Sequence, residues 1–226
     1  MVKTYSLKKD GNVYLTPHFQ VKEFASKNGK KTYSDTVLID TQLVQILERL
    51  FAYLKCQKIV ITSGYRTVEH EKAVGNKSGK GYHTTGQAAD INCYDQNGKR
   101  YHGSVICCAL QELGWRYGIG WIAGCAVHVD TRDYRYWFDE QNGCRSIGTD
   151  WYAYMKKKGY IVTGLPKLGD VDGDGKVTTT DARLILQYTV GSISSNDIDM
   201  TVADLDGDGD VDTTDARLAL QKAVEK

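Results

Sequence analysis

The sequence predicts two modules, a mixed helix-and-strand domain followed by a small helical one, and three observations carry that division. Residues 1–164 hold 23 Lys and Arg against 15 Asp and Glu, while residues 165–226 hold 6 against 13. A chain with a formal net charge of +1 is therefore a +8 segment joined to a −7 segment, an asymmetry that marks modules with different partners. All five His, all six Cys and all four Trp fall in the first segment. Residues 170–181 and 204–215 are near copies of one another at a period of 34, and an internal repeat at fixed spacing is a strong architectural signal. The border falls in Gly164-Leu165-Pro166-Lys167-Leu168-Gly169, which reads as a short linker, so the domains are taken as 1–164 and 165–226. A chain that is 41% hydrophobic and 10% aromatic is globular rather than disordered.

In the first module, Leu43, Val44, Leu47, Leu50, Phe51 and Leu54 recur at helical spacing and predict an amphipathic core helix over 40–55. Lys58-Ile59-Val60-Ile61-Thr62 reads as a short buried strand. It delivers the polar, Gly-containing loop Ser63-Gly64-Tyr65-Arg66-Thr67, the kind of place where site residues are carried. A second helix is predicted over 104–113 from Val105, Cys108, Ala109 and Leu113. Ala126-Val127-His128-Val129-Asp130-Thr131 alternates as a strand and puts His128 and Asp130 on one face. No run of about 18 uncharged apolar residues is present, so no membrane-crossing helix is expected. The first ten residues lack the apolar stretch of a secretory signal, which leaves the export route open.

Each repeat in the second module has the layout of a twelve-residue calcium loop. Such loops take carboxylates at positions 1, 3, 5 and 12, a Gly at 6 and a backbone carbonyl at 7. The first loop supplies Asp170, Asp172, Asp174, Gly175, Lys176 (through its carbonyl) and Asp181; the second supplies Asp204, Asp206, Asp208, Gly209, Asp210 and Asp215. Position 9 is Thr178 or Asp212, and position 12 is Asp where Glu is usual. Converging carboxylates repel without a cation, so two Ca²⁺ ions and metal-dependent folding are expected. A helical apolar pattern follows each loop, through Ala182, Leu184, Ile185 and Leu186 and through Ala216, Leu218 and Leu220.

Two loop–helix units in about 60 residues, with Thr-Thr-Asp closing each loop, resemble the dockerin family. That resemblance implies a small all-α calcium-binding domain with two EF-hand-like loops, which docks on a cohesin domain of an extracellular scaffold as in cellulosomes. It places Thr179, Thr180, Arg183, Thr213, Thr214 and Arg217 on the partner-facing helices. Because both halves carry Thr-Thr-Asp-Ala-Arg-Leu, either half is expected to dock with the other turned away.

The first module carries a zinc-ligand pattern. Tyr82-His83-Thr84-Thr85-Gly86-Gln87-Ala88-Ala89-Asp90 sets an imidazole and a carboxylate seven residues apart, with small residues that let the backbone fold back. His83, Asp90 and His128 would supply three ligands and leave a fourth position for water, as a hydrolytic zinc site needs. Ser63-Gly64-Tyr65-Arg66-Thr67, then His83-x-x-Gly86-x-Ala88-x-Asp90, then His128-Val129-Asp130, in that order, resemble the M15 zinc peptidases, the group of D-alanyl-D-alanine carboxypeptidases and phage endolysins. The similarity runs from about Leu15 to about Tyr160.

The resemblance implies an α+β fold of the M15/Hedgehog-like kind around a small antiparallel sheet, one Zn²⁺, and peptidoglycan stem peptide as substrate. By it, His83, Asp90 and His128 are zinc ligands, and Arg66 faces the substrate carboxylate or the developing oxyanion. Many members carry an acid three residues before the last His, where this chain has Cys125. Asp130 is then the available carboxylate for proton transfer. The alternative, that Asp130 ligates the metal and His128 is catalytic, stays open.

The sequence thus points to a monomeric, extracellular or wall-associated zinc peptidase, a carboxypeptidase or endopeptidase, with no nucleic-acid partner. The alternative is a non-catalytic wall-binding module with a structural zinc. His18, His70 and His102 read as surface or packing residues, with His70 on the solvated face of Glu69-His70-Glu71-Lys72. The six cysteines contain no C-x-x-C spacing and read as free thiols, with one or two disulfides as the alternative. Tyr82, Trp115, Trp121 and Tyr134 read as core aromatics rather than a groove.

Overall fold

The computed structural model describes residues 1–225. The strands are β1 (Val2–Ser6), β2 (Tyr14–Thr16), β3 (Phe19–Gln20), β4 (Lys27–Asn28), β5 (Lys31–Thr32), β6 (Thr36–Asp40), β7 (Lys58–Ser63), β8 (Ala88–Tyr94), β9 (Gly118–Ala123), β10 (Ala126–Asp130), β11 (Tyr136–Asp139) and β12 (Arg145–Ser146). The helices are α1 (Leu7–Asp10), α2 (Thr41–Tyr53), α3 (Val68–Ala73), α4 (Gly103–Glu112), α5 (Trp151–Lys157), α6 (Thr179–Thr189) and α7 (Thr213–Val224). The protein is α+β, with a six-stranded sheet in the order β12-β11-β9-β10-β8-β7. Its neighbours run antiparallel except β9 and β11, which are parallel, so the expected antiparallel sheet carries one parallel pair.

Strand alternation divides the sheet into two chemically different faces. Ala89, Ile91 and Cys93 of β8 and Val127 and Val129 of β10 are buried in the core, on the side covered by α2 and α4. Helix α2 starts where Asp40 accepts a hydrogen bond from the Gln42 amide at 2.9 Å, a side-chain cap for an otherwise orphaned donor. It buries Leu43, Val44, Ile46, Leu47, Leu50 and Tyr53. The opposite sheet face carries Asp90 and His128, which sit directly across from one another in the β8–β10 register.

The expectation of a buried strand at 58–62 needs correction. β7 is the edge of the sheet, pairing with β8 alone, and Ile59 is its one buried residue. Edge position depends on which strand lies alongside, and the apolar run is short enough for either place.

In the second module, α6 and α7 pack against each other over a small core that includes Val171, Ile185, Val202, Ala203 and Ala219. Each helix begins in a capping box, Thr178 with Asp181 and Asp212 with Asp215. The last carboxylate of each loop is therefore also the anchor of the helix that follows. The modules meet along α2. There the Tyr53 hydroxyl donates to the Pro166 carbonyl, and Arg49 Nη2 donates to the Asp204 carbonyl at 2.8 Å.

Candidate metal centre and docking face

The metal centre is assembled from three backbone segments. His83 sits in a 3₁₀ turn, Tyr82–Thr85, that ends at Gly86 with φ of 75°. A Cβ at Gly86 would lie 2.5 Å from the Leu38 carbonyl atoms, so the left-handed, side-chain-free residue lets this turn lie against β6. The Gly86 carbonyl accepts from the Asp40 amide at 2.8 Å, which ties the turn to the end of that strand. β8 presents Asp90 and β10 presents His128. His83 Nε2 lies 3.3 Å from Asp90 Oδ1, and His128 Nδ1 lies 2.9 Å from the same oxygen. Donor atoms of all three residues fall within 4.8 Å of one another.

The surrounding hydrogen bonds define which atoms are free to bind a cation. His83 Nδ1 donates to the Gly64 carbonyl at 2.7 Å, leaving a lone pair on Nε2. His128 Nε2 faces Asp130 Oδ2 at 3.0 Å; the carboxylate accepts there, so Nε2 carries hydrogen and Nδ1 turns its lone pair to Asp90. Asp90 Oδ2 accepts from Arg66 Nη2 at 2.7 Å, leaving Oδ1 toward the two imidazoles. Two nitrogens and one oxygen thus converge on one point with no hydrogen between them, which is the donor chemistry of zinc. In the absence of a metal, a second proton on His128 meets the same need. Burial presses its pKa down, but hydrogen bonds to Asp130 and Asp90 outweigh burial and raise it to about 9. Burial works upward on Asp90, and His83 and His128 overcome it to hold the carboxyl far below the usual range.

Two of the predicted catalytic residues are engaged in unexpected ways. Arg66 holds Asp90, and it also donates from Nη1 to Glu71 Oε2 at 3.1 Å and from Nε to Ser63 Oγ at 2.7 Å. Its guanidinium is thereby turned to carboxylates of the protein itself. Asp130 is fully buried. Both its oxygens are occupied, by Arg132 Nε at 2.8 and 3.0 Å, by Arg132 Nη2, by the Arg132 amide at 3.1 Å and by His128. Burial acts upward on its pKa, but the bonds from Arg132 and His128 prevail and hold it low. A carboxylate enclosed in this way has no free lone pair for a water, so the general-base role expected of it does not fit its surroundings. Its place behind His128 likewise disfavours Asp130 as the third ligand.

Arg132, Glu71 and the segment Gly118-Ile119-Gly120 were not anticipated. A Cβ at Gly118 would overlap the Asp130 carboxylate, and one at Gly120 would overlap the Phe138 ring, so β9 is bare where the site residues need room. Arg132 follows Asp130 by two residues, as Asp130 follows His128, and that repeated step was the available signal. Its guanidinium lies 4.6 Å from the Tyr82 ring centre and 4.9 Å from that of Tyr136. Tyr134 is exposed beside it, whereas Trp115 and Trp121 are core residues as expected.

His70 is not on a solvated face. It is buried, bonded through Nδ1 to Ser26 Oγ at 2.9 Å and stacked on Tyr33 with ring centres 4.2 Å apart. The six cysteines are free. Cys125 lies in the β9–β10 turn and is outside the donor set.

In the acidic module, Asp170, Asp172 and Asp181 form one compact donor group, and Asp204, Asp206 and Asp215 form a second. Asp174, Lys176, Asp208 and Asp210 lie on the exposed rims of the same loops. Asp170 Oδ1 is buried without a hydrogen-bond partner, an orphan that a bound cation would satisfy. Burial first, and then the like charges of Asp181, Asp174 and Asp172, raise the Asp170 pKa against a bond from the Gly175 amide. These features fit calcium.

Thr179, Arg183 and Leu186 of α6 and Thr213, Arg217 and Leu220 of α7 line a single apolar groove between the two helices. Packing of α6 on α7 thus brings residues of both repeats to one groove. Thr180 and Thr214 lie in the first turns of the helices, outside the groove lining.

An α+β domain with a His–Asp–His donor set is joined to paired acidic loop–helix units, so the chain carries one candidate metal centre and, beside it, two candidate cation loops. Comparison with protein families gives the particulars. Residues 17–119 match the Peptidase M15 model and residues 168–223 match the Dockerin type I domain, so the chain carries an M15 peptidase region followed by a dockerin. The peptidase match takes in His83 and Asp90 and stops short of His128. No curated protein and no solved structure matches the chain significantly.

Proposed function

We propose that this protein is a zinc-dependent peptidase that hydrolyses peptidoglycan stem peptides and is attached through its dockerin to a cohesin-bearing extracellular scaffold. The observation that carries the reading is the convergence of three donors, His83 Nε2, Asp90 Oδ1 and His128 Nδ1, among which the described residues supply no fourth. Structural zinc sites close with four protein ligands, whereas three leave a position for chemistry. That count favours a working enzyme over a wall-binding module with a structural metal.

When bound, zinc there supplies Lewis acidity, polarising the scissile carbonyl and acidifying water. The chain's own residues prepare the site. The Gly64 carbonyl fixes the His83 ring, Arg66 holds Asp90 so that one oxygen faces inward, and Asp130 holds His128. Arg66 and Asp130 are therefore read as residues that orient ligands. Tyr82, Tyr134 and Tyr136 surround Arg132 next to Asp130, and a peptide reaching the metal is read as passing over these rings.

The two acidic loops take one Ca²⁺ each and hold α6 and α7 in place for the cohesin, which seats on the shared groove. The +8 module then faces an anionic wall, where its field speeds association at low salt. The test is digestion of purified muropeptides by the wild type and by His83→Ala, with products read by mass. Loss of one alanine identifies a carboxypeptidase and release of cross-links an endopeptidase; equal activity in both proteins refutes the proposal.

A further inference from the structure

We propose that Arg132 is a positioning residue of the metal centre, acting through Asp130 to hold His128 with Nδ1 as its metal-binding atom. The inference rests on the zinc reading above and adds a residue to it. His128 and Asp130 are alternate residues of β10, Arg132 stands two residues past the strand end, and the three form a linear chain of contacts. Arg132 grips both oxygens of Asp130 through its side chain and one of them through its amide. Asp130 in turn accepts from His128 Nε2 at 3.0 Å. A histidine bound through one nitrogen has its tautomer and ring angle set by the partner of the other, and such outer partners govern metal affinity.

Three features argue that the chain of contacts serves the site rather than the fold alone. The Asp130 carboxylate occupies space that exists because residue 118 is glycine. A buried carboxylate and guanidinium are an expensive pair to keep where an apolar pair would pack as well. The arginine is also fixed in direction, since Tyr82, Tyr134, Tyr136 and Phe138 surround its guanidinium at 4.6 to 5.8 Å. It therefore has one orientation in which to meet Asp130. Without Arg132, Asp130 would be a lone buried charge and would turn to whatever donor lies near, freeing the His128 ring to rotate.

The test measures zinc affinity of the full-length, calcium-loaded protein by competition with a chromophoric chelator. Arg132→Met keeps side-chain bulk among the aromatic rings and removes the two-point grip. It should weaken zinc binding about 10- to 100-fold and alter the visible spectrum of the cobalt-substituted site, while calcium binding stays unchanged. Arg132→Lys, which restores a charge but not the fork, should recover part of the loss. If Arg132→Met does not fold, the double variant Asp130→Asn/Arg132→Met removes both charges and carries the same comparison. Zinc affinity and a cobalt spectrum equal to wild type in a folded variant overturn the inference. Failure of the wild type itself to bind zinc overturns the zinc reading instead, so the two failures are distinguishable.

Discussion

Replacing Gly64 by alanine should injure the metal centre from a position that binds no metal. A Cβ at residue 64 would sit 2.6 Å from Phe24 Cα, 2.8 Å from the Phe24 oxygen and 3.0 Å from its carbonyl carbon. Carbon contacts are comfortable at about 3.5–4.0 Å, so the loop must retreat by about 1 Å. It is also held toward Phe24 by the Tyr65 amide, which donates to the Phe24 carbonyl at 2.8 Å. A shift of that size displaces the Gly64 carbonyl from the 2.7 Å bond it accepts from His83 Nδ1. Overpacking of this kind costs about 1–3 kcal/mol, which for a domain of this size lowers Tm by roughly 2–12 °C. Loss of the outer partner of a metal-binding histidine costs about 10- to 100-fold in affinity. Chelator competition and thermal melts with and without zinc read both effects. A variant with wild-type Tm and zinc affinity within about twofold would refute the reasoning.

Three further outcomes are expected. Withdrawal of calcium at buffered free zinc should abolish the helical signal of α6 and α7, because the orphaned Asp170 oxygen and its neighbouring carboxylates lose their counter-charge; far-UV circular dichroism checks this, and retention of that signal contradicts it. Asp139→Asn should lower Tm at neutral pH by an amount that shrinks on acidification. Burial pushes Asp139 upward, but hydrogen bonds from Tyr154 and Lys158 win and hold its pKa below 3.8; stability from a lowered carboxylate is present above the unfolded value and lost as pH falls through the folded one. A pH-independent difference contradicts that account. Leu186→Asp and Leu220→Asp place a charge in the same groove, so each alone should weaken cohesin binding about tenfold or more in calorimetry; if either variant binds normally, the shared docking face is wrong.

The chain reveals its second module more fully than its first, and the reason is locality. Each calcium loop and the helix after it lie within about twenty consecutive residues, so Asp170 and Asp181 follow from spacing alone, while the capping box of Thr178 shows only in the structure. The shared groove does not, because it depends on how α6 packs on α7. In the first module the donors His83, Asp90 and His128 stood out by motif; the β8–β10 register sets Asp90 beside His128, and the turn before β8 adds His83. What escaped were residues whose role comes from contacts distant in sequence. His70, flanked by Glu69, Glu71 and Lys72, has the look of a solvated helix face. The short helix α3 is instead turned inward on Ser26 and Tyr33, and Glu71 is buried against Arg66. Gly118 shows its purpose only once β9 lies beside β10. Arg132 stands two residues past Asp130, the same step that separates Asp130 from His128, but beyond the end of β10, where strand alternation no longer marks it.

The most direct test of the central claim is an anomalous-scattering structure of the protein crystallised with zinc and calcium. One zinc is expected, held by His83 Nε2, Asp90 Oδ1 and His128 Nδ1, with a solvent molecule completing the shell and Asp130 remaining on the far side of the His128 ring. A zinc closed by four protein ligands, or bound elsewhere with these three residues still hydrogen-bonded to each other, would contradict it.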